Sequence, residues 1–276
     1  MMATAMLLLP AGDAVGKYIL GSSTYSPEFV SWSRFVFGIT ILLPIALVRG
    51  WFRGLEPGFY FKQAIRAALV LGAITLILNG LKTIALADAY GAFFIGPVVA
   101  TLLARVLLAE RVTPKEWIAV TLGFVGVLLV VQPSFSMNTG ILWALGAGTC
   151  YGTYLVATRW AAGSGPPIAQ LTAQLVFATI FLMPLGLPDL LEQGIQLPAL
   201  LGLQGLLSAA ANLLSILALA RAPAAWLAPV VYIQIISATS LGWLMFGHQP
   251  SGLAVIGLLL ILAAGASRIP RREAVR

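Results

Sequence analysis

The sequence predicts an all-α polytopic membrane protein, with ten transmembrane helices arranged as two inverted five-helix repeats. Three observations carry this reading. The first is composition: 60% of the 276 residues are hydrophobic and 9% are charged, with a mean hydropathy of +0.97. Soluble chains carry roughly 25% charged residues, so no water-soluble surface can be built from this one. The second is that apolar stretches of about 20 residues recur along the chain. They are continuous rather than alternating, which argues against a membrane β-barrel. The third is a repeat. Gly12-Asp13-Ala14-Val15-Gly16-Lys17-Tyr18 returns as Gly148-Thr149-Cys150-Tyr151-Gly152-Thr153-Tyr154, with the glycines and the tyrosine kept and the charges replaced.

The spans fall at about 2–20, 28–48, 64–85, 89–108, 115–132, 139–159, 168–187, 198–219, 224–246 and 250–268. Turn signals separate several of them: Ser26-Pro27, Gln132-Pro133, Gly165-Pro166-Pro167 and Gln249-Pro250. The connections are too short for a soluble domain. The organisation expected is a first repeat over 1–134, a second over 138–270 and a basic cytoplasmic tail over 271–276.

Basic residues set the orientation. With the N-terminus inside, the cytoplasmic connections hold Arg49, Arg53, Lys62 and Arg66, then Arg111 and Lys115, then Arg159, then Arg221, and the tail adds Arg268, Arg271, Arg272 and Arg276. The external connections hold Glu28, Asp88, Asp189 and Glu192 instead. This predicts an inner (plasma) membrane protein with both termini cytoplasmic. The net charge of +7 belongs to this bias and not to nucleic-acid binding, since no basic stripe interleaves with aromatics. One cysteine, Cys150, and one histidine, His248, exclude an internal disulfide and leave no metal cluster to expect. No cofactor motif is present, and nothing suggests nucleotide-driven transport. The first residues lack the basic region and processing site of a signal peptide. Only about a dozen residues precede Asp13, which leaves room for a native start upstream of Met1.

Further matches support duplication. Leu42-Leu43-Pro44-Ile45-Ala46-Leu47 resembles Leu182-Met183-Pro184-Leu185-Gly186-Leu187, and Asn79 through Ala92 matches Asn212 through Ala225. Five helices per half is an odd number, so the second copy enters the membrane upside down; Asp88 at an external turn then corresponds to Arg221 at a cytoplasmic one. Gly96-Pro97-Val98-Val99, Leu107-Leu108-Ala109-Glu110-Arg111 and the stretch Trp117 to Val130 carry a resemblance to the drug/metabolite transporter superfamily, specifically its EamA-type members. In the second half it continues through Ala228-Pro229, Tyr232 and Leu241 to Phe246. His248 departs from the pattern, where the family usually places a glutamate. The resemblance implies ten helices in two repeats and secondary transport of a small molecule, and it does not imply an enzyme.

Ionisable side chains inside the membrane cost at least about 2.5–3.5 kcal/mol each, so they are the candidates for function. Asp13 lies roughly 10 Å deep. Arg34 lies at nearly the same depth on the next helix, which makes an Asp13–Arg34 pair geometrically plausible, as a structural lock or as a recognition and coupling site. Lys17 is one turn from Asp13, and Lys82 is a further cation near the end of the third span. Asn79 and Asn212 occupy equivalent positions in the two halves and suit either a pseudo-symmetric site or interhelical adhesion. Opposite the charged wall, Thr149, Thr153, Gln174, Gln170, Tyr232 and Gln234 offer neutral hydrogen bonding, and Phe93, Phe94, Trp226 and Trp243 could supply stacking surface. Trp51, Phe52, Phe59 and Trp117 read as interfacial anchors. Arg105 and Glu110 read as end-capping residues.

The function expected is transport of a small polar or zwitterionic metabolite by alternating access in the lipid bilayer. Asp13 is the candidate for binding a substrate amine or a coupling proton. The resemblance points to an amino acid or a derivative. The alternatives are a carrier of a nucleotide-derived metabolite such as S-adenosylmethionine, or a non-transporting membrane scaffold. The oligomeric state is not legible.

Overall fold

The computed structural model describes residues 1–81, 83–84, 86–132, 139–246 and 251–266. Among them the regular elements are helices: α1 (Met2–Ser22), α2 (Pro27–Val48), α3 (Pro57–Leu81), α4 (Leu86–Phe93), α5 (Gly96–Leu107), α6 (Pro114–Val131), α7 (Thr139–Trp160), α8 (Pro167–Gln193), α9 (Pro198–Arg221), α10 (Ala224–Val231), α11 (Ile233–Phe246) and α12 (Gly252–Ala266). Five of them, α2, α3, α6, α8 and α9, open on a proline, whose fixed φ suits the first turn and whose missing N–H is not needed there. Side chains finish two of these starts. Ser26 Oγ accepts from the Phe29 N–H at 3.1 Å, and Thr113 with Glu116 forms a capping box at α6.

Seven helical stretches are long and apolar enough to cross a membrane, and an eighth, 252–264, is apolar but shorter. Helices α1 and α7 have 21 and 22 residues, but polar and small residues lower their hydropathy. Four boundaries differ most from the expectation; one is the end of α8, which runs to Gln193 and not to 187, so Asp189 and Glu192 lie inside a helix and not in a connection. Helix α3 begins at Pro57, seven residues before the expected start at 64, so Arg66 lies inside it and not in a connection. The fourth span is broken at Phe94-Ile95 into α4 and α5, and the ninth at Tyr232 into α10 and α11. At the first break the reason is local: Pro97 has no N–H to give the Phe93 carbonyl, and the helical ladder opens there.

The two halves interleave. The main pairings are α3 with α7, α1 with α9, α2 with α8 and α6 with α12, followed by α5 with α7, α1 with α11, α2 with α9 and α3 with α8. Exchanging the halves maps this set onto itself. Helices α2 and α8 run antiparallel: the Tyr25 hydroxyl donates to the Gly194 carbonyl at 2.8 Å and Trp32 Nε1 donates to the Thr179 carbonyl at 3.0 Å. Helices α6 and α12 do the same, with Gln132 beside Ser251 and Gly126 against Gly257 and Ile261. Antiparallel packing of equivalent helices is what an inverted repeat requires.

One core cluster lies around Phe94, Tyr154 and Tyr232, and a second around Phe29, Trp32, Leu171 and Leu175. Phe59, expected as an interfacial anchor, is instead buried in a small cluster with Ala169 and Ala173, against which Trp51 and Phe52 pack. The basic tail, Lys82 and His248 lie outside the described residues.

Candidate functional site

Asp13 on α1 and Arg34 on α2 are brought together. Arg34 Nη1 donates to Asp13 Oδ1 at 3.2 Å, with the carboxylate side chain 53% exposed and the guanidinium 18%. At such exposure an ion pair contributes little to stability, and most of the carboxylate surface stays open to another donor. Lys17 follows one turn along α1 and is exposed.

A second group of side chains is an aromatic wall where α4 meets α7. Tyr90 meets Phe93 edge-on at 6.4 Å between centroids, Phe93 meets Tyr151 at 5.4 Å, and Tyr151 stacks on Tyr154 at 6.1 Å and 28°. A branch runs from Tyr90 through Phe94 at 6.2 Å to Tyr232 at 6.1 Å. Tyr90, Phe93 and Tyr151 are half-buried, whereas Phe94, Tyr154 and Tyr232 are buried. The break between α4 and α5 lets the wall form, because it turns Phe93 onto α7 and Phe94 toward Tyr232. Helix α7 can approach so closely because of glycines. A Cβ at Gly148 would lie 2.2 Å from the Phe93 carbonyl oxygen, and one at Gly152 would lie 2.3 Å from that of Gly96.

Beneath the wall is a hydrogen-bonded node centred on Tyr154. Gln174 Nε2 donates to its hydroxyl at 3.3 Å, and the hydroxyl donates to Asn212 Oδ1 at 3.1 Å. Asn212 Nδ2 donates in turn to the Ser208 carbonyl at 2.9 Å. Three helices, α7, α8 and α9, thus meet on one phenol. Against the face of the same ring lies Arg66, its Cζ 5.7 Å from the centroid. Arg66 is fully buried; its Nε donates to Thr158 Oγ1 at 3.1 Å and its Nη1 to Gln63 Oε1.

The remaining expected residues are scattered. Asn79 bonds its own helix at the Thr75 carbonyl, 2.9 Å away, and lines a small cavity with Glu28 and Ser31, so it does not join Asn212. Thr149 and Thr153 return their hydroxyls to the carbonyls of Leu145 and Thr149. The Tyr232 ring packs over Gly123, and its buried hydroxyl has no partner; Gln234 Nε2 and Gln170 Oε1 are buried without partners too.

Two residues emerge that the sequence reading missed as site members, Arg66 and Tyr154. A third, Gln204, is wholly buried between α9 and Gly16 with neither amide atom partnered. Gln204, Ser208 and Asn212 recur every fourth residue, a polar stripe on one helix face that was readable.

The ends of the bundle are tied by polar contacts between the halves. Glu110 accepts from the N–H groups of Ala224 and Ala225, both at 3.1 Å, and sits 3.4 Å from Arg159 Nε, beside a cavity of 470 Å³. Arg159 donates to the Leu219 and Ala220 carbonyls. Glu110 therefore caps a helix, as expected, though it is α10 in the other half. At the opposite end Asp189 accepts from the Ser26 N–H at 2.7 Å, and Thr24 donates to Gln193 at 2.5 Å.

Comparison with known proteins adds the family. The model of the EamA-like transporter family matches residues 1–132 and again 138–266. A riboflavin transporter of Rhizobium johnstonii is 28% identical, with 91% of this chain and 84% of that protein covered. An S-adenosylmethionine uptake transporter of Rickettsia prowazekii is 22% identical, covering 91% and 85%. A threonine/homoserine exporter of Salmonella typhimurium is 28% identical, covering 74% and 70%. One crystal structure superposes with a TM-score of 0.77 over 96% of this chain and 94% of its own at 19% identity, a likeness of fold.

Proposed function

The chain belongs to the EamA-like transporter family, and from that premise we propose that it carries a small metabolite with a planar heterocyclic ring, of flavin size, by alternating access. One observation carries the choice of substrate class. Tyr90, Phe93 and Tyr151 present half-buried rings in one wall, and the Asp13–Arg34 pair offers an exposed carboxylate. Aromatic faces favour offset stacking of a flat π-system, and the ion pair suits the polar appendage of such a solute. Relatives named for riboflavin and S-adenosylmethionine, both ring-bearing, support the same class. In this reading Asp13 also serves as the protonatable group that couples flux. The basic connections support an inner-membrane placement with both termini in the cytoplasm.

A second reading, an amino acid or derivative, is favoured by the Asp13–Arg34 pair itself. A zwitterion could split it, placing its amine on Asp13 and its carboxylate on Arg34. The relative named for threonine and homoserine agrees with this.

The experiment is uptake into proteoliposomes of labelled riboflavin, S-adenosylmethionine and threonine. Saturable riboflavin or S-adenosylmethionine flux is expected, reduced about fivefold or more by Tyr151→Ala, since stacking is worth on the order of 1 kcal/mol beyond its buried area. Folded protein that moves threonine alone would replace the first reading with the second. Folded protein that moves none of the three sinks both.

A further inference from the structure

Arg66 poses a problem of charge. It sits nine residues into α3, about 14 Å along the axis, with no exposed surface. A buried charge is normally paired with an opposite one. Among the described residues no carboxylate lies within 4 Å of this guanidinium, since the two ion pairs found are Asp13–Arg34 and Glu110–Arg159. Its partners are neutral: the Thr158 hydroxyl, the Gln63 amide oxygen and the face of Tyr154.

Its donors are also underused. A guanidinium has five N–H groups. Nε and Nη1 are engaged, while Nη2 is buried without a partner. Gln63, likewise wholly buried, leaves its Nε2 unpartnered. Two orphaned nitrogens from residues one turn apart on α3, already linked to each other, form a donor set for an oxyanion, which a guanidinium can receive on two parallel N–H bonds.

The location ties this donor set to the aromatic wall. The Tyr154 ring over Arg66 stacks on Tyr151, and its hydroxyl reaches Gln174 and Asn212. An anion at Arg66 would lie against Tyr154, whose ring in turn stacks on Tyr151 of the wall.

We propose that Arg66 and Gln63 form a buried oxyanion site that receives a carboxylate or phosphate of the transported solute. This rests on the ring-bearing substrate proposed above and adds its charge. It also explains why a central cation stands without a carboxylate: the counter-ion arrives with the cargo.

The test uses the full chain purified in a maltoside detergent. Thermal unfolding is followed against sodium phosphate, sodium acetate and sodium chloride at matched ionic strength. A ligand of the folded state raises Tm saturably. The expected result is a saturable rise with phosphate or acetate beyond that with chloride, absent in Arg66→Met. In anion-free buffer Arg66→Met should melt above the wild type, because the uncompensated charge is gone; a merely structural arginine would give the opposite sign. Binding of riboflavin is then compared with that of riboflavin 5′-phosphate. The phosphate form should bind about tenfold tighter to the wild type and with no preference to Arg66→Met.

If oxyanions stabilise the wild type no more than chloride does, the site is overturned, whether or not the variant folds. If inorganic phosphate stabilises but the two flavins bind alike, the assignment of the anion to the solute is overturned. Failure of both flavins to bind counts against the ring-bearing substrate, while the phosphate and acetate titration still decides the oxyanion site.

Discussion

The interface of α3 with α7 and that of α1 with α9 exchange places when the two halves are swapped, and their polar contents are opposite. Both run antiparallel and both rely on small residues. Gly80 lies against Gly140 in the first, and Gly12 against Leu207 in the second. The first holds a charge in its seam, Arg66 over Tyr154. The second holds the neutral Gln204 in its seam, and Asp13 on α1 points to the accessible side. In the register that pairs Asn79 with Asn212, Ala199 stands opposite Arg66. Shape is therefore what the duplication preserved, and the placement of charge is what diverged. The charged positions are the better guide to what this chain does with a scaffold its relatives share.

The sharpest way to break the comparison is at the equivalent glycines. Gly148→Ala places a methyl 2.2 Å from the Phe93 carbonyl oxygen and 2.9 Å from its carbonyl carbon, neither of which can rotate away. A loss of about 1–3 kcal/mol or more is expected, read as a fall in Tm and in folded yield. Gly12→Ala, whose new methyl finds nothing nearer than 3.6 Å, should be neutral or gain about 0.5–1 kcal/mol from helix propensity. Equal effects would show that close approach at the α4–α5 break is no constraint.

The equivalent tyrosines come next. Tyr154→Phe strips the hydroxyl that Gln174 and Asn212 share and should cost about 1–3 kcal/mol. Tyr18→Phe alters a ring that is 52% exposed and should fall within about 0.5 kcal/mol of zero. Denaturant or thermal unfolding of the pair checks this, and a Tyr154→Phe chain as stable as Tyr18→Phe would remove the node from the structural account.

A small effect on stability is also expected at the ion pair. Asp13→Asn should change it by less than about 1 kcal/mol, given the exposure of the carboxylate, and, on the proposed coupling role of Asp13, should abolish uptake driven by an imposed proton gradient while leaving exchange of solute. A destabilisation as large as that of Tyr154→Phe would make the pair a lock between α1 and α2 and nothing more.

Much of this was legible because membrane helices write themselves in apolar length. The Asp13–Arg34 contact was legible from depth alone, two opposite charges at one level on adjoining helices. The breaks at Phe94-Ile95 and Tyr232 were not, since the residues there are aromatic and Gly96-Pro97 marks the first only indirectly. Arg66 was misread for a physical reason. A basic residue near the end of an apolar stretch normally belongs to the interface, and only the start of α3 at Pro57 moves it inside. Gln63 and Arg66, one turn apart on a single face after a proline, were the available sign. Tyr154 was visible as a repeat of Tyr18, but no pattern in the chain says that three helices will converge on its hydroxyl.

The interleaving of the halves has a consequence in time. Helix α1 packs chiefly on α9, and the contact of Gly16 with Gln204 joins residues almost 200 positions apart. At about 5–20 residues synthesised per second, the first helix waits roughly 10–40 s for its partner. It waits as one of the two full-length helices whose hydropathy falls below that of the seven strong spans. Throughout that interval Gly12 and Gly16 have no α9 to pack against, so the nascent chain depends on α2, through Arg34, or on the insertion machinery to hold α1 in place. Neither half expressed alone should settle, and co-expressed halves should recover each other.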